Sequence, residues 1–352
     1  MFDTAEFEGD RFLGNIEKKT QLSLLQIEVP STMARKQRVL LPNNLHFITT
    51  RVQEGLPFVP TQYMNMILLG LMARAQELYK VRVCAFLWMG NHLHMLIIVD
   101  TPQDAADFIN RIKTEASHAV NILLGRTQHS VWCSRYDSPA VLTPHDAIAK
   151  FAYIYANPAQ ADLETTISKY PGLSSWRMFT GREQSIAAPW IQRPMLSKLL
   201  SPTLSPEEDQ RFADYLRRNA KESHTFTLSP DDWLECFGIP KEHAPHYRQK
   251  IIDATLELEL ERFKERTTPV MGSEALKAQA FNAPFTPKKF ARRVWCICSE
   301  VALRKEFEAD IRGSISKGKR VYAKWKKGDF SEQYPQQLFA PRVPFAPLPA
   351  SL

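Results

Sequence analysis

Two apolar runs separated by a tight turn constrain the fold of this chain most strongly. Residues 81–89 read VRVCAFLWM and residues 92–99 read HLHMLIIV, with Gly90-Asn91 between them. Both runs are rich in the β-branched and aromatic residues of strands, and glycine and asparagine favour two-residue hairpin turns. The pattern therefore predicts a β-hairpin.

Two helices with well-marked starts follow the hairpin. Thr101 and Thr143 each stand before a proline and three residues before an aspartate, which is the pattern of a capped helix start. Gly125 is a stop signal for the first helix. Pro158 disfavours helical geometry in the residue before it, so we expect the second helix to end near Asn157.

The order of elements predicts the fold class. A strand pattern, LHFITTRV, begins at Leu45, and an apolar-striped helix pattern follows it before the hairpin. Short strands are expected between Trp132 and Leu142. The resulting order β-α-β-β-α predicts an α+β fold, an antiparallel sheet of ferredoxin-like or RRM-like form covered by helices.

The chain is long enough for more than one domain, and its composition shifts along its length. The polar segment SPTLSPEEDQ indicates a linker near residue 200. We therefore expect an N-terminal segment over 1–36, a main domain over 37–200, and a mainly helical C-terminal extension over 201–352.

Composition and charge narrow the functional classes. The five cysteines form no C-x-x-C pair, and no apolar run is long enough to span a bilayer, so we expect a cytoplasmic protein with neither disulfides nor a membrane partner. The net charge is +7, and residues 281–352 hold 14 basic and 6 acidic side chains. A chain that is basic from about residue 285 suggests a polyanionic partner, although a solvated tail is the alternative.

The first candidate for chemistry is the pair of histidines in MGNHLHMLIIV. Side chains alternate along a strand, so His92 and His94 project from one face and Leu93 from the other. Two imidazoles so placed could hold one cation. In the alternative interpretation one histidine caps the turn and the other is a hydrogen-bonded core residue.

The second candidate lies near the end of the helix that starts at Thr143. Residues four apart share a helix face, so Tyr153 and Asn157 point the same way, and Tyr155 points elsewhere. A phenol and a carboxamide thus share a surface. The alternative is aromatic packing by Tyr153 and helix termination by Asn157.

Together these blocks resemble the HUH-type single-tyrosine transposases, and within them the branch of REP-associated tyrosine transposases. The resemblance rests on NHLHMLI, on YIYANP and on the W-x-x-R-Y segment that starts at Trp132, and it spans about Arg38 to Trp176. It implies that residues 37–200 form the catalytic domain. Insertion-sequence transposases that act on single strands are relatives of this branch.

The resemblance also implies roles for individual residues. His92, His94 and Asn157 match the positions that hold a divalent cation, Mg²⁺ or Mn²⁺, and Tyr153 matches the nucleophile. The implied reaction nicks and rejoins single-stranded DNA, at hairpin-forming palindromic repeats, through a 5′-phosphotyrosine. A domesticated DNA-binding protein without turnover is the alternative, and we expect a monomer or homodimer.

Two other metal-dependent classes fit the sequence poorly. Amidohydrolase-like barrels need further histidines and an aspartate on a much longer β/α repeat. Histidine-triad hydrolases need a third alternating histidine, where this chain has Met95 and Leu96. The sequence therefore favours phosphodiester chemistry.

Several residues are candidates for DNA contact. Aromatic rings can stack on unpaired bases and cations can contact phosphates. The C-terminal basic segment predicts an amphipathic helix that either clamps a hairpin stem or packs on the catalytic domain with its charge in water. The candidates are Lys113, Trp132, Arg135, Tyr136 and Tyr155 in the main domain, and Lys324, Lys326 and Lys327 in the C-terminal segment.

Overall fold

The computed structural model describes residues 38–133, 135–284 and 294–343. The predicted N-terminal segment 1–36 and the start of the basic segment after Thr286-Pro287 lie outside these ranges. Among the residues that the structure describes, no helix combines the length and the apolar character needed to cross a bilayer.

The described residues form strands and helices in an α+β arrangement, as the sequence predicts. The strands are β1 (Leu45–Arg51), β2 (Val81–Met89), β3 (His92–Val99), β4 (Ala140–Val141), β5 (Ser185–Pro189), β6 (Ser223–Thr227) and β7 (Cys296–Ile297). The helices are α1 (Gln62–Leu78), α2 (Pro102–Leu123), α3 (Pro144–Gln160), α4 (Trp176–Thr180), α5 (Pro206–Asn219), α6 (Ala244–Glu265), α7 (Ser273–Lys277) and α8 (Val301–Trp325).

The main sheet has the strand order β2-β3-β1-β4-β7. Its pairs are antiparallel except for β4 and β7, which run parallel, and β5 pairs with β6 in a separate two-stranded sheet. The predicted antiparallel sheet covered by helices is confirmed. The strand β7 from the C-terminal extension was not foreseen, because two residues give no periodicity to detect.

The predicted hairpin joins β2 and β3 through Gly90-Asn91. Neither turn residue has a positive φ, so the turn is not of the primed type that these residues usually adopt. The carbonyl oxygens of Gly90 and Asn91 accept hydrogen bonds from Phe58 and Val52. Contacts with a neighbouring segment, rather than left-handed backbone, therefore define this turn.

The two faces of the sheet have different coverings. Trp88 pairs with Leu93 across the hairpin, and the Trp88 indole donates to Met72 on α1, so this face packs against α1 and, beside it, α2. The opposite face carries His92 and His94 and packs against α3. The sheet thus lies between two helical layers, with the histidine pair under α3.

Helix α3 begins as predicted but ends later. The Thr143 side chain accepts from the Asp146 amide at 3.1 Å, which is the predicted cap. The expected end near Asn157 is wrong, because the helix continues to Gln160 with Pro158 inside it. The Pro158 carbonyl accepts from two downstream amides, and tertiary burial of this turn outweighs the missing amide of proline.

The C-terminal extension shares the core of the sheet domain. Leu216, Phe226 and Trp233 belong to the same buried cluster as β1 to β3. The second half of the predicted linker is the first turn of α5, where the Asp209 carboxylate accepts from the first amides of α1 at 2.8 and 3.1 Å. The domain boundary near residue 200 stays a prediction, and packing is continuous across it.

Residues of this extension hold both ends of α3. At the start, the Asp146 carboxylate accepts from the Ser299 amide at 3.0 and 3.2 Å. Just after the end, Asp162 bonds the guanidinium groups of Arg262 and Arg266 on and next to α6. The helix that carries Tyr153 is therefore fixed at two points by residues beyond 200.

We predict that Asp162→Asn destabilises the fold at neutral pH by about 1 kcal/mol, a modest figure because the ion pairs are partly exposed. Arg262 and then Arg266 hold the pKa of the Asp162 carboxyl below its usual value. Its contribution is therefore present above the unfolded pKa of about 4 and is lost as the pH falls through the folded value. Thermal unfolding should show the melting temperatures of the wild-type and Asp162→Asn proteins converging as the pH is lowered from 7 to 3.

A matched control for this prediction is Asp214→Asn, which removes a more exposed ion pair with Arg217 on α5. We expect a smaller change in melting temperature for this variant. Equal effects of the two substitutions at pH 7 would show that Asp162 does not hold α3.

Candidate active site

The two histidines of β3 lie side by side on the face below α3. Their ring centroids are 4.6 Å apart. Cross-strand partners share a face, so Thr49 of β1 lies beside His94 and Arg51 beside His92. The alternation expected from the sequence is what the structure shows.

His92 is oriented by its neighbour in the turn. Its Nδ1 is 2.6 Å from the amide oxygen of Asn91. Because that oxygen can only accept, Nδ1 carries the proton and Nε2 keeps its lone pair. Burial, and then the charge of Arg51, lower the pKa of His92 to about 4. The imidazole is therefore neutral at pH 7, the form that can ligate a cation.

His94 differs from an ordinary core histidine. It is buried, and within the described part of the chain neither of its ring nitrogens has a hydrogen-bond partner. Burial is also the main cause that lowers its pKa, followed by the charges of His92, Lys150 and Arg51. A buried polar atom without a partner is costly, so hydrogen bonding within the described fold does not explain the position of this ring.

His46 provides the comparison within the same sheet. It is also buried, but Nε2 accepts from the Leu41 amide at 3.0 Å and Nδ1 lies 3.2 Å from the Ser138 carbonyl oxygen. Both nitrogens are satisfied, so His46 is structural. The hydrogen-bonding alternative considered for the histidine pair applies to His46 and does not apply to His94.

Helix α3 brings Tyr153 over the histidines and Asn157 to the Tyr153 phenol. The Tyr153 ring centroid is 5.6 Å from that of His94, and Phe47 of β1 contacts both rings. The Asn157 side chain hydrogen-bonds the phenol. Burial raises the pKa of Tyr153, whereas this hydrogen bond and the charge of Arg51 act in the opposite direction.

Two cations at this site were missed by the sequence analysis. Lys150 lies one turn before Tyr153 on α3, with its Nζ 5.0 Å from the Tyr153 ring centroid. Arg51 ends β1 opposite His92. Lys150 could have been found from its i, i−3 relation to Tyr153, and Arg51 only with the strand pairing in hand.

The structure contradicts the predicted base-stacking role of two residues. Tyr136 is buried with the Arg38 guanidinium 3.9 Å from its ring centroid. Tyr155 is fully buried, and its hydroxyl is 2.9 Å from the Ser175 hydroxyl. Both rings pack in the core and neither offers a face to a base.

The remaining candidates in the main domain lie nearer the surface. Trp132 is half-buried, packs on Phe58, and donates to the Lys113 carbonyl at 2.9 Å. Burial lowers the pKa of Lys113 to about 8. Arg135 is exposed. A basic, aromatic surface therefore exists here, and its contact with DNA stays a prediction.

The candidates in the C-terminal segment lie at the end of α8. Lys326 and Lys327 are exposed, whereas Lys324 pairs with Glu332. Between Ile311 and Lys327 the chain carries basic side chains and no acidic one. The predicted basic helix is confirmed, and its DNA contacts stay a prediction.

The donor set at the histidine pair suits a divalent cation. Among the described residues, no group of three or more His, Cys, Asp or Glu side chains could hold a metal ion, so the amide oxygen of Asn157 would have to complete this set. The partnerless nitrogens of His94 and the oriented His92 fit such an ion. Two imidazoles and an amide oxygen leave positions open for substrate oxygens.

One known protein family matches the segment of the chain that holds this site. Residues 46–156 match the family model described as "Transposase IS200 like". This segment of the chain is similar to that family of transposases, and the resemblance seen in its motifs is confirmed. The match includes both histidines and Tyr153 and stops one residue before Asn157.

A solved structure described as "Structure of the REP associates tyrosine transposase bound to a REP hairpin" is also similar to this chain. The sequence identity is 18%, the TM-score is 0.38, and the alignment covers 43% of this chain and 87% of that one. No curated protein matches the chain.

Proposed function

We propose that this protein nicks and rejoins single-stranded DNA through a covalent 5′-phosphotyrosine formed on Tyr153. The observation that carries the proposal is the contact between the Tyr153 ring and His94, a buried imidazole that lies beside His92 and has no hydrogen-bond partner within the described residues. A structural role would satisfy those nitrogens, whereas a reaction at a phosphate needs them available.

The chemistry is a transesterification. The Tyr153 oxygen forms a bond to phosphorus while the bond from phosphorus to the 3′-oxygen breaks. The phenol loses its proton, and the departing 3′-oxygen gains one and becomes a hydroxyl. Because the phosphodiester is kept in the adduct, a second 3′-hydroxyl can reverse the step and join strands without ATP.

His92, His94 and Asn157 would hold Mg²⁺ or Mn²⁺ at this site. When bound, such an ion neutralises charge on a phosphate oxygen that would otherwise repel the nucleophile. The protein side chains do the rest: Asn91 orients His92, Phe47 supports the rings of His94 and Tyr153, and α3 presents the phenol.

The proposed substrate is single-stranded DNA with a hairpin, as the family resemblance implies. A strand must be unpaired for its phosphate to reach a site between a sheet and a helix. In this proposal an unpaired base stacks on Trp132, and Lys113 and Arg135 neutralise phosphates. The basic end of α8 would contact the stem.

The experiment that tests the proposal uses the full chain with labelled hairpins taken from the DNA flanking the gene. We expect an adduct that survives SDS and that requires Mg²⁺ or Mn²⁺. DNA binding without an adduct under any metal condition would favour the alternative, a domesticated DNA-binding protein that has lost turnover.

We predict that Lys326→Gln with Lys327→Gln weakens hairpin binding and lowers the slope of log K against log salt by about 1 for each phosphate that is no longer neutralised. Point substitutions are preferable to deletion of residues 281–352, because β7 is part of the main sheet. Affinity should be measured over a range of salt concentrations.

The matched control for this prediction is Lys250→Gln with Lys264→Gln, which removes the same charge from the exposed face of α6. We expect a smaller change in slope for the control. If both pairs change the slope equally, the end of α8 does not contact DNA.

A further inference from the structure

Two basic residues flank the candidate nucleophile from different elements of the fold. Arg51 is the last residue of β1 and pairs with His92, so it projects from the face that carries Phe47 and both site histidines. It is only half-buried. Arg51 therefore lies on the site face of the sheet beside His92, one proposed cation ligand, and is partly open to solvent.

Lys150 reaches the same site from the opposite side. It lies on α3 and is 9% exposed, with Nζ 5.0 Å from the Tyr153 ring centroid and 5.9 Å from that of Phe47. Its ammonium group therefore lies against the ring of the candidate nucleophile, where a phosphate that meets the Tyr153 hydroxyl would come close to it.

We propose that Arg51 and Lys150 bind the scissile phosphate and hold it against the Tyr153 hydroxyl. This inference rests on the proposed function and adds two catalytic residues to it. The guanidinium can take two non-bridging oxygens in a fork, and the ammonium supplies a point charge on the other side. The pair would stabilise the charge that accumulates on these oxygens as phosphorus accepts the phenol oxygen.

The test begins with wild-type protein, whose cleavage position on the hairpin is mapped first. We expect Arg51→Gln and Lys150→Gln each to slow adduct formation by about 10²-fold, the usual effect of removing one donor to a transition-state oxyanion. Arg51→Lys should restore part of the rate. Arg82→Gln is the matched control, since Arg82 lies on β2 in an exposed ion pair with Glu235.

A second measurement separates phosphate binding from a structural role. In a Tyr153→Phe background, Arg51→Gln should weaken binding of the hairpin roughly tenfold, as expected for a hydrogen bond to a charged group. The same substitution should have little effect on a hairpin whose scissile phosphate is replaced by a neutral methylphosphonate. Circular dichroism and thermal unfolding establish that each variant is folded.

The outcomes distinguish this inference from the proposed function. Wild-type protein that forms no adduct contradicts the proposed function and, with it, a scissile phosphate at this site. An adduct formed at wild-type rates by both variants contradicts the inference alone. Equal loss of affinity for the charged and neutral hairpins also contradicts it. If Lys150→Gln does not fold, the adduct rates of Lys150→Arg, Arg51→Gln and Arg51→Lys test the inference instead.

Discussion

Tyr153→Phe is expected to abolish the SDS-resistant DNA adduct completely, and Tyr155→Phe to leave it at the wild-type level. The first substitution removes only the oxygen that would bond to phosphorus, next to His94. The second removes a hydroxyl in the core, 2.9 Å from Ser175. The two tyrosines are two residues apart on one helix. Comparing the two variants therefore distinguishes loss of the nucleophile from a general disturbance of α3.

The measurement is a denaturing gel of labelled hairpin with each variant, followed by mass analysis of the adduct peptide. Tyr155→Phe should cost only about 1 kcal/mol of stability, because Ser175 keeps its hydrogen bonds to the Phe86 backbone. Loss of the adduct in Tyr155→Phe together with its retention in Tyr153→Phe would move the nucleophile to the buried residue and contradict this assignment.

The local features of the fold were predictable because their causes are local. The hairpin follows from two β-rich runs around Gly90-Asn91, and the caps at Thr101 and Thr143 are set by hydrogen bonds within a single turn. The caps need no distant part of the chain, whereas the conformation of the hairpin turn depends on Phe58 and Val52 and was not predicted. The fold class then follows from element order alone.

The predictions that were wrong concern features that depend on tertiary contacts. The helix passes Pro158 because its last turn is buried, and Tyr155 is unavailable to a base because Trp176 and Phe179 pack on its ring. Sequence spacing says which face a residue takes, but it does not say whether that face meets solvent or another element. The role of α6 in holding α3 was invisible for the same reason.

The site was partly predictable. Side-chain directions repeat every two residues in a strand and every 3.6 residues in a helix. These periods place the histidines on one strand face and Tyr153 with Asn157 on one helix face. They do not place the helix over the strand, and so Arg51 and Lys150 were missed. Nor could the sequence distinguish His46, a satisfied core histidine, from His94, since both lie in apolar strands.

The difference between His46 and His94 predicts a substitution that removes activity without lowering stability. His94→Leu should abolish adduct formation, because it removes a proposed ligand of the cation, yet it should not lower the melting temperature. The substitution removes two buried nitrogens that have no hydrogen-bond partner in the described structure. Removing buried polar atoms of this kind is neutral or stabilising when the replacement fills similar space.

His46→Leu is the matched control, and the opposite result is expected. It leaves the Leu41 amide and the Ser138 carbonyl without their side-chain partner, which should cost about 2 to 3 kcal/mol of unfolding free energy. Folded His46→Leu protein should still form the adduct. Thermal unfolding and adduct rate, measured together on both variants, separate a structural histidine from one that serves the reaction.

DNA and metal binding complete this test. Both His94→Leu and His92→Ala should keep hairpin affinity within a few-fold, since most phosphate contacts of a DNA-binding protein lie away from any single site residue. Calorimetric titration with Mn²⁺ should show binding to wild-type protein and loss of it in either variant. A His94→Leu protein that unfolds like His46→Leu, or that forms the adduct at the wild-type rate, would show that His94 is a core residue and not a ligand.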